Sequence, residues 1–140
     1  MQRVHLLRVD AAAEVFTPLW AAARQGGVRL GWLDLEAGAT APPAPLLQAA
    51  AAGALRAVAV GEGVTTAVKA LRGEPVLRDL LREHFVGCAA VLVRGEVAAP
   101  ALTAAGDERW TVAGADWSRR LSSAELLAAL RRPRPWPAGH

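Results

Sequence analysis

Four short apolar runs, separated by Ala/Leu-rich stretches, constrain the fold of this chain more than any other feature. Each run is rich in Val, Leu or Ala, and the four occupy residues 4–9, 28–35, 55–60 and 88–93. Runs of this length predict strands that are buried on both faces of a sheet. Because helical stretches alternate with them, we expect a single three-layer α/β domain with a mostly parallel central sheet and flanking helices.

An antiparallel hairpin is expected in addition to this sheet, at residues 61–69. As a hairpin, residues 64–69 would pair with the strand at 55–60; as a strand–loop–helix, a Gly-flanked loop would begin a helix. Four of the five residues 64–68 are β-branched, which favours a strand. A short loop containing Gly is also normal in hairpins. We therefore favour the hairpin over the loop and helix.

Residues typical of helix ends and turns predict the remaining helices and a second hairpin. Pro18 is tolerated in the first turn of a helix, so the first helix begins near Glu14 or restarts at Thr17. A helix is expected over residues 75–86 and a hairpin around residues 106–107. The last helix spans residues 123–132, with Ser122 and Glu125 as a capping box. The expected domain is therefore residues 1–132, followed by a Pro/Arg-rich tail at 133–140.

Composition bounds the class of protein. The chain has 140 residues, 53% of them hydrophobic, which suits one domain with a substantial core. Charged residues interrupt every apolar segment, so none approaches the roughly 20 residues of a membrane span. The charged N-terminus does not look like a secretory signal, and one cysteine argues against a disulfide framework. We expect a cytoplasmic protein with no membrane partner.

The basic character of the chain reflects its composition rather than a binding surface. The isoelectric point is about 10.4, yet the formal net charge is only +3. Of 16 basic residues only Lys69 is a lysine, and Tyr is absent, so little titrates in the alkaline range. This usage is expected of a GC-rich genome. The Arg residues are dispersed along the chain, which argues against a nucleic-acid partner.

The predicted topology favours a ligand site at the carboxyl ends of the parallel strands. Arg94 follows an apolar strand there and is suited to anchor an anion, with Asp34, Glu62, Gly61 and Gly63 as further ligand-binding residues. The Gly61-x-Gly63 loop imitates a dinucleotide-binding loop, although Thr66 stands where a third Gly is required. In the competing interpretation, the acidic neighbours are only counter-ions of Arg94.

Four other side chains have two interpretations each. Lys69 is either a surface charge or an amine for Schiff-base or general-base chemistry. His5 and His84 are either packed and hydrogen-bonded or catalytic, and Cys88 is either a small core residue or a reactive thiol. On the hairpin interpretation, Lys69 falls at the opposite edge of the sheet from Arg94. The two therefore compete as site residues.

The leading functional hypothesis is a small non-catalytic module that binds a ligand or a protein partner, including another copy of itself. It is motivated by the absence of a concentrated nucleophile, base and orienting residue in the sequence. Trp110, Trp117 or Trp136 would anchor an interface, and the Pro/Arg-rich tail would suit an aromatic groove. The alternative is a compact enzyme acting on an anionic small molecule near Arg94. No cofactor is indicated, and no spacing predicts a metal site.

Overall fold

The computed structural model describes residues 4–36, 44–69, 71 and 73–137. A 3₁₀ turn at Ala13–Phe16 precedes the first helix. The helices are α1 (Thr17–Gly26), α2 (Ala44–Ala51), α3 (Leu77–His84) and α4 (Ser123–Leu130). The strands are β1 (His5–Val9), β2 (Leu30–Asp34), β3 (Ala57–Val60), β4 (Thr65–Val68), β5 (Ala90–Arg94), β6 (Ala101–Ala104), β7 (Arg109–Ala113) and β8 (Ser118–Ser122).

Six of these strands form a mixed, mostly parallel sheet in the order β2-β5-β1-β6-β7-β8. The pairs β2–β5, β5–β1 and β1–β6 are parallel, whereas β7 is antiparallel to both β6 and β8. Only β7 therefore runs against the others. With its flanking helices and a separate two-stranded antiparallel sheet, β3–β4, the structure confirms the predicted α/β class.

The described residues fall into two compact units. Residues before Ala37 and after His84 form the first unit, which contains the six-stranded sheet, α1 and α4. Residues between these limits form the second unit, which contains α2, the β3–β4 hairpin and α3. The second unit is thus an insertion in the sequence between β2 and β5.

The core of the first unit lies against β5 and β1. Successive strand residues point to opposite faces of a sheet, and the four residues of β5 from Ala90 to Val93 are all fully buried. The run at 88–93 is therefore a central strand, as predicted. Leu7 and Val9 of β1 pack with Phe16 and with Trp110 of β7 in the same cluster, and the Phe16 and Trp110 rings stack at 5.7 Å.

The expectation that residues 55–60 form a third strand of the central sheet is wrong. Within the described chain, β3 pairs with β4 and with no other strand. Its two valines are exposed, Val58 at 55% and Val60 at 81%. An apolar run does not by itself distinguish a strand buried on two faces from one strand of a separate hairpin, and here the hairpin forms its own sheet.

The hairpin itself is confirmed. Val60 pairs with Thr65 and Ala57 with Val68 in antiparallel register, and the Gly61 N–H donates to the Val64 carbonyl at 2.8 Å. Gly63 has a φ of +73°, in the left-handed region that glycine reaches without steric cost. The β-branched residues thus form a strand rather than the beginning of a helix.

Most helix and turn signals also hold. The 3₁₀ turn gives way to α1 at Thr17, with Pro18 in its first turn. The β6–β7 hairpin turns through Gly106 and Asp107, and Ser122 and Glu125 form the predicted capping box. β8 was not predicted, because Leu121 is its only apolar side chain.

Candidate functional site

Arg94 and Asp34 lie side by side at the carboxyl ends of β5 and β2. The parallel register pairs these two residues directly, and Arg94 Nη1 lies 3.2 Å from Asp34 Oδ2. The other oxygen of Asp34 accepts from the Glu36 N–H at 2.9 Å. Gly95, with a φ of +131°, lets the chain turn immediately after Arg94. A Cβ added at Gly95 would lie only 2.9 Å from the Cβ of Leu35.

This geometry supports the counter-ion interpretation of Arg94 more than the anion-anchor interpretation. The carboxylate of Asp34 partly neutralises the guanidinium, so an incoming anion meets a weaker positive field. The Arg94 side chain is 38% exposed and that of Asp34 is 25% exposed, and solvent screens a pair of this exposure. One guanidinium nitrogen is engaged, and the pair remains accessible from solvent.

Gly61, Glu62 and Gly63 form the turn of the β3–β4 hairpin. The expectation that they lie with Arg94 at one edge of the central sheet is wrong, since β3 belongs to a separate sheet. Lys69 follows β4 of that separate sheet, so Lys69 and Arg94 do not occupy opposite edges of one sheet and do not compete as site residues.

Lys69 belongs to a small cluster of charges in the second unit. Its ammonium donates to Glu83 Oε1 at 2.8 Å, and Arg56 Nη2 lies 3.4 Å from the same oxygen. The hydrogen bond from Lys69 lowers the pKa of the Glu83 carboxyl from its ordinary value. The Lys69 side chain is 45% exposed, whereas Schiff-base or general-base chemistry needs a desolvated amine. The geometry favours a surface charge.

The histidines and the cysteine differ in their surroundings. His5 Nε2 donates to the Arg132 carbonyl at 2.7 Å, as a histidine hydrogen-bonded to the backbone would. The His84 side chain is 53% exposed and is not part of a buried core edge. Cys88 is half-buried and lines a cavity of about 430 Å³ with Trp20 and Val28, so it lies at the margin of the core rather than within it.

The tryptophans expected at an interface mostly contribute to packing. Trp110 is 2% exposed and donates from Nε1 to Ser123 Oγ at 2.8 Å. Trp136, 8% exposed, stacks on Trp117 with ring centroids 5.7 Å apart. Arg119 lies over the Trp136 ring and donates to the Pro135 carbonyl. The start of the Pro/Arg-rich tail is therefore packed on its own chain; residues 138–140 lie outside the described residues.

Among the described strands, the most exposed apolar surface is on β3 of the β3–β4 hairpin, and the sequence does not indicate this surface as a site. The helix α2 packs against both strands, and Ala57 is buried. Val58 and Val60 point to the other face of β3, because side chains alternate along a strand. In the sequence this surface is marked by two valines separated by an alanine, a pattern that also fits a buried strand.

Comparisons with known proteins give few matches. No family model matches the chain, and no curated protein matches it. Two solved structures of Bacillus subtilis MobB are similar, at 20% and 21% identity over 69% of this chain, with TM-scores of 0.44 and 0.46. The chain spans 61% and 65% of the length of those structures. At this level of similarity neither structure says what this chain binds.

Two searches of the described residues were negative. No helix among them is long and apolar enough to cross a membrane. No group of three or more His, Cys, Asp or Glu residues in the same part of the chain is placed to hold a metal ion.

Proposed function

We propose that this chain is a non-catalytic binding module whose β3 edge receives an extended segment of a protein partner as an added strand. The observation that carries the proposal is the exposure of Val58 and Val60 on a two-stranded sheet. The helix α2 packs against both strands of the hairpin, and the free edge of β3 offers unpaired N–H and C=O groups to another strand. An added strand would pair these groups.

The hydrogen-bond pattern of the hairpin identifies the groups that are available. In an antiparallel pair, hydrogen-bonded and non-hydrogen-bonded positions alternate. The Gly61–Val64 pair is hydrogen-bonded, so Ala59 directs its backbone groups toward β4. Val58 and Val60 then direct theirs toward the free edge of β3.

Selection from a displayed library of short random peptides tests strand addition. We expect the parent chain to enrich peptides that bind as extended segments. Val60→Pro should abolish their binding, because proline removes the N–H at the free edge and leaves the bonds to β4 intact. Val60→Thr is the matched control, since it keeps the N–H and the β-branched shape. Peptides that bind Val60→Pro as well as the parent would contradict the proposal, and so would failure to enrich any peptide on a parent chain dilute enough to be monomeric.

Anion binding at Arg94 is a second candidate function, and it is the step that a compact enzyme acting on an anionic small molecule would need. It is favoured by the partial exposure of Arg94 at a strand end, where ligands collect in open α/β sheets. In a thermal-shift panel of phosphate-like anions, the parent should gain stability and Arg94→Ala should not. Arg78→Ala, an exposed position on α3, is the control. No shift of the parent by any anion would eliminate this candidate.

The place in the cell that we propose is the cytoplasm, supported by the single cysteine.

A further inference from the structure

We propose that the strand added to β3 is the β3 strand of a second copy of this chain, antiparallel to the first. This inference rests on the proposed function, because it names the partner of the same edge. An antiparallel strand pair about a two-fold axis is self-complementary, so one surface supplies both halves of the interface. The resulting sheet would have four strands, with the two β3 strands at its centre.

The available backbone groups allow three central registers. Val58 and Val60 direct their N–H and C=O groups outward, so these residues must face each other across the new ladder. Val58 can lie opposite Val58, Val60 opposite Val60, or Val58 opposite Val60 of the other copy. In the last register the two-fold axis passes beside Ala59.

Charge selects the last of these registers. Arg56 precedes β3 and Glu62 follows it, each three residues from Ala59. When Val58 lies opposite Val60, Arg56 at the start of β3 in one copy comes beside the hairpin turn that carries Glu62 of the other, and the pair occurs twice by symmetry. The other two registers place Arg56 opposite Val60 or Val64. Opposite charges directly across a strand pair are stabilising.

In the described part of the second unit, Arg56 shares its carboxylate partner with Lys69, and Glu62 has no ion-pair partner. Glu83 receives both Arg56 and Lys69, so a single carboxylate faces two cations. Glu62 forms no ion pair with any residue that the structure describes, and it lies in the exposed turn. If Arg56 pairs with Glu62 of the other copy, Glu83 keeps Lys69 as its partner and each carboxylate has one cation.

The distribution of charges also favours β3 over β4 as the edge that pairs. The four residues of β4, Thr65–Val68, include no carboxylate, and Lys69 follows them. Two copies of β4 in antiparallel register would bring no opposite charges together. A lysine at a strand edge also discourages pairing.

Apolar side chains add to the interface on the face that α2 leaves open. In the selected register, Val58 and Val60 of both copies lie next to each other, giving a cluster of four valines. Cross-strand pairs of β-branched residues stabilise a sheet. Their present exposures of 55% and 81% leave most of their surface available for burial.

Charge reversal and its rescue test the register. We expect the parent chain to dimerise in sedimentation equilibrium, and Glu62→Arg to weaken the dimer at least about tenfold, because two like-charged pairs replace two ion pairs. The double variant Arg56→Glu/Glu62→Arg should restore the dimer, since it recreates both pairs with the charges exchanged. Glu83→Gln should leave the dimer intact, which controls for the contact that Arg56 makes within its own chain.

Three outcomes would overturn the inference: a parent chain that stays monomeric at every concentration, a dimer that Glu62→Arg does not weaken, or a double variant that does not recover. The peptide selection separates this failure from failure of the proposed function. A monomeric parent that still binds extended peptides, and loses them on Val60→Pro, retains the strand-addition function with a different partner.

Discussion

At the scale of single residues, the packing between Gly31 and Phe85 in the first unit leaves no room for a side chain at residue 31. A Cβ at Gly31 would lie 2.5 Å from Phe85 Cδ1 and 2.7 Å from Cε1. We therefore expect Gly31→Ala to destabilise the protein by about 1–3 kcal/mol, since inserting a methyl group here displaces a packed ring. The measurement is the free energy of unfolding in urea.

Gly26→Ala is the matched control for this substitution. Its nearest neighbour would be Val28 Cγ2 at 4.0 Å, and it occupies the last position of α1, so it should not destabilise the protein. Equal destabilisation by the two substitutions would show that the Phe85 ring is not the cause.

Burial of individual side chains was only partly predictable. Arg109, Trp110, Thr111 and Val112 alternate between polar and apolar residues, a pattern that places Trp110 and Val112 on one face. Both are buried. The alternation therefore predicts that Trp110 faces the core, and the interpretation of Trp110 as an interface residue did not take it into account. For Arg94 the sequence showed the position at a strand end, whereas its pairing with Asp34 depends on the register between β2 and β5.

At the scale of elements, the N-terminus of α4 depends on its capping box. Ser122 Oγ accepts from the Glu125 N–H at 3.1 Å, and Glu125 Oε1 accepts from the Ser122 N–H at 2.9 Å. Replacing Ser122 with Ala should cost about 1 kcal/mol in the free energy of unfolding. Denaturant titration at neutral pH measures it, and an unchanged midpoint would contradict the role of the cap.

The same cap should make stability depend on pH. The backbone N–H of Ser122, and then its side chain, lower the pKa of the Glu125 carboxyl. A carboxyl with a lowered pKa in the folded state stabilises the fold above its unfolded-state pKa, and that stabilisation is lost as the pH falls through the folded value. The melting temperature of Glu125→Ala should therefore be below that of the parent at neutral pH and approach it in acid. A difference that does not change with pH would count against this mechanism.

Elements were predictable where local signals decide them. The capping residues of α4, the turn of the β6–β7 hairpin and the β-branched residues of β4 carry their conformations in their own side chains. Whether a strand joins a particular sheet depends on distant parts of the chain. The runs at 55–60 and 88–93 look alike in sequence, yet β5 is central and β3 pairs outside the main sheet.

At the scale of the whole molecule, most of the arginines around β7, β8 and α4 have partners within the chain. Arg119 and Arg120 donate to the Pro135 and Ala105 carbonyls, Arg131 donates to that of Gly26, and Arg109 pairs with Glu125. We expect no binding of a fluorescent DNA oligonucleotide at physiological salt, measured by anisotropy. Tight binding that falls steeply with added salt would show a phosphate-binding surface.

Hydrogen exchange at the β3 edge tests the binding function most directly. The N–H groups of Val58 and Val60 point away from β4, whereas that of Ala59 points toward it. Pairing between two β3 strands predicts that exchange of the Val58 and Val60 amides slows as the protein concentration rises, in the parent but not in Glu62→Arg. Exchange of these two amides at the same rate across the whole concentration range would contradict pairing between two β3 strands.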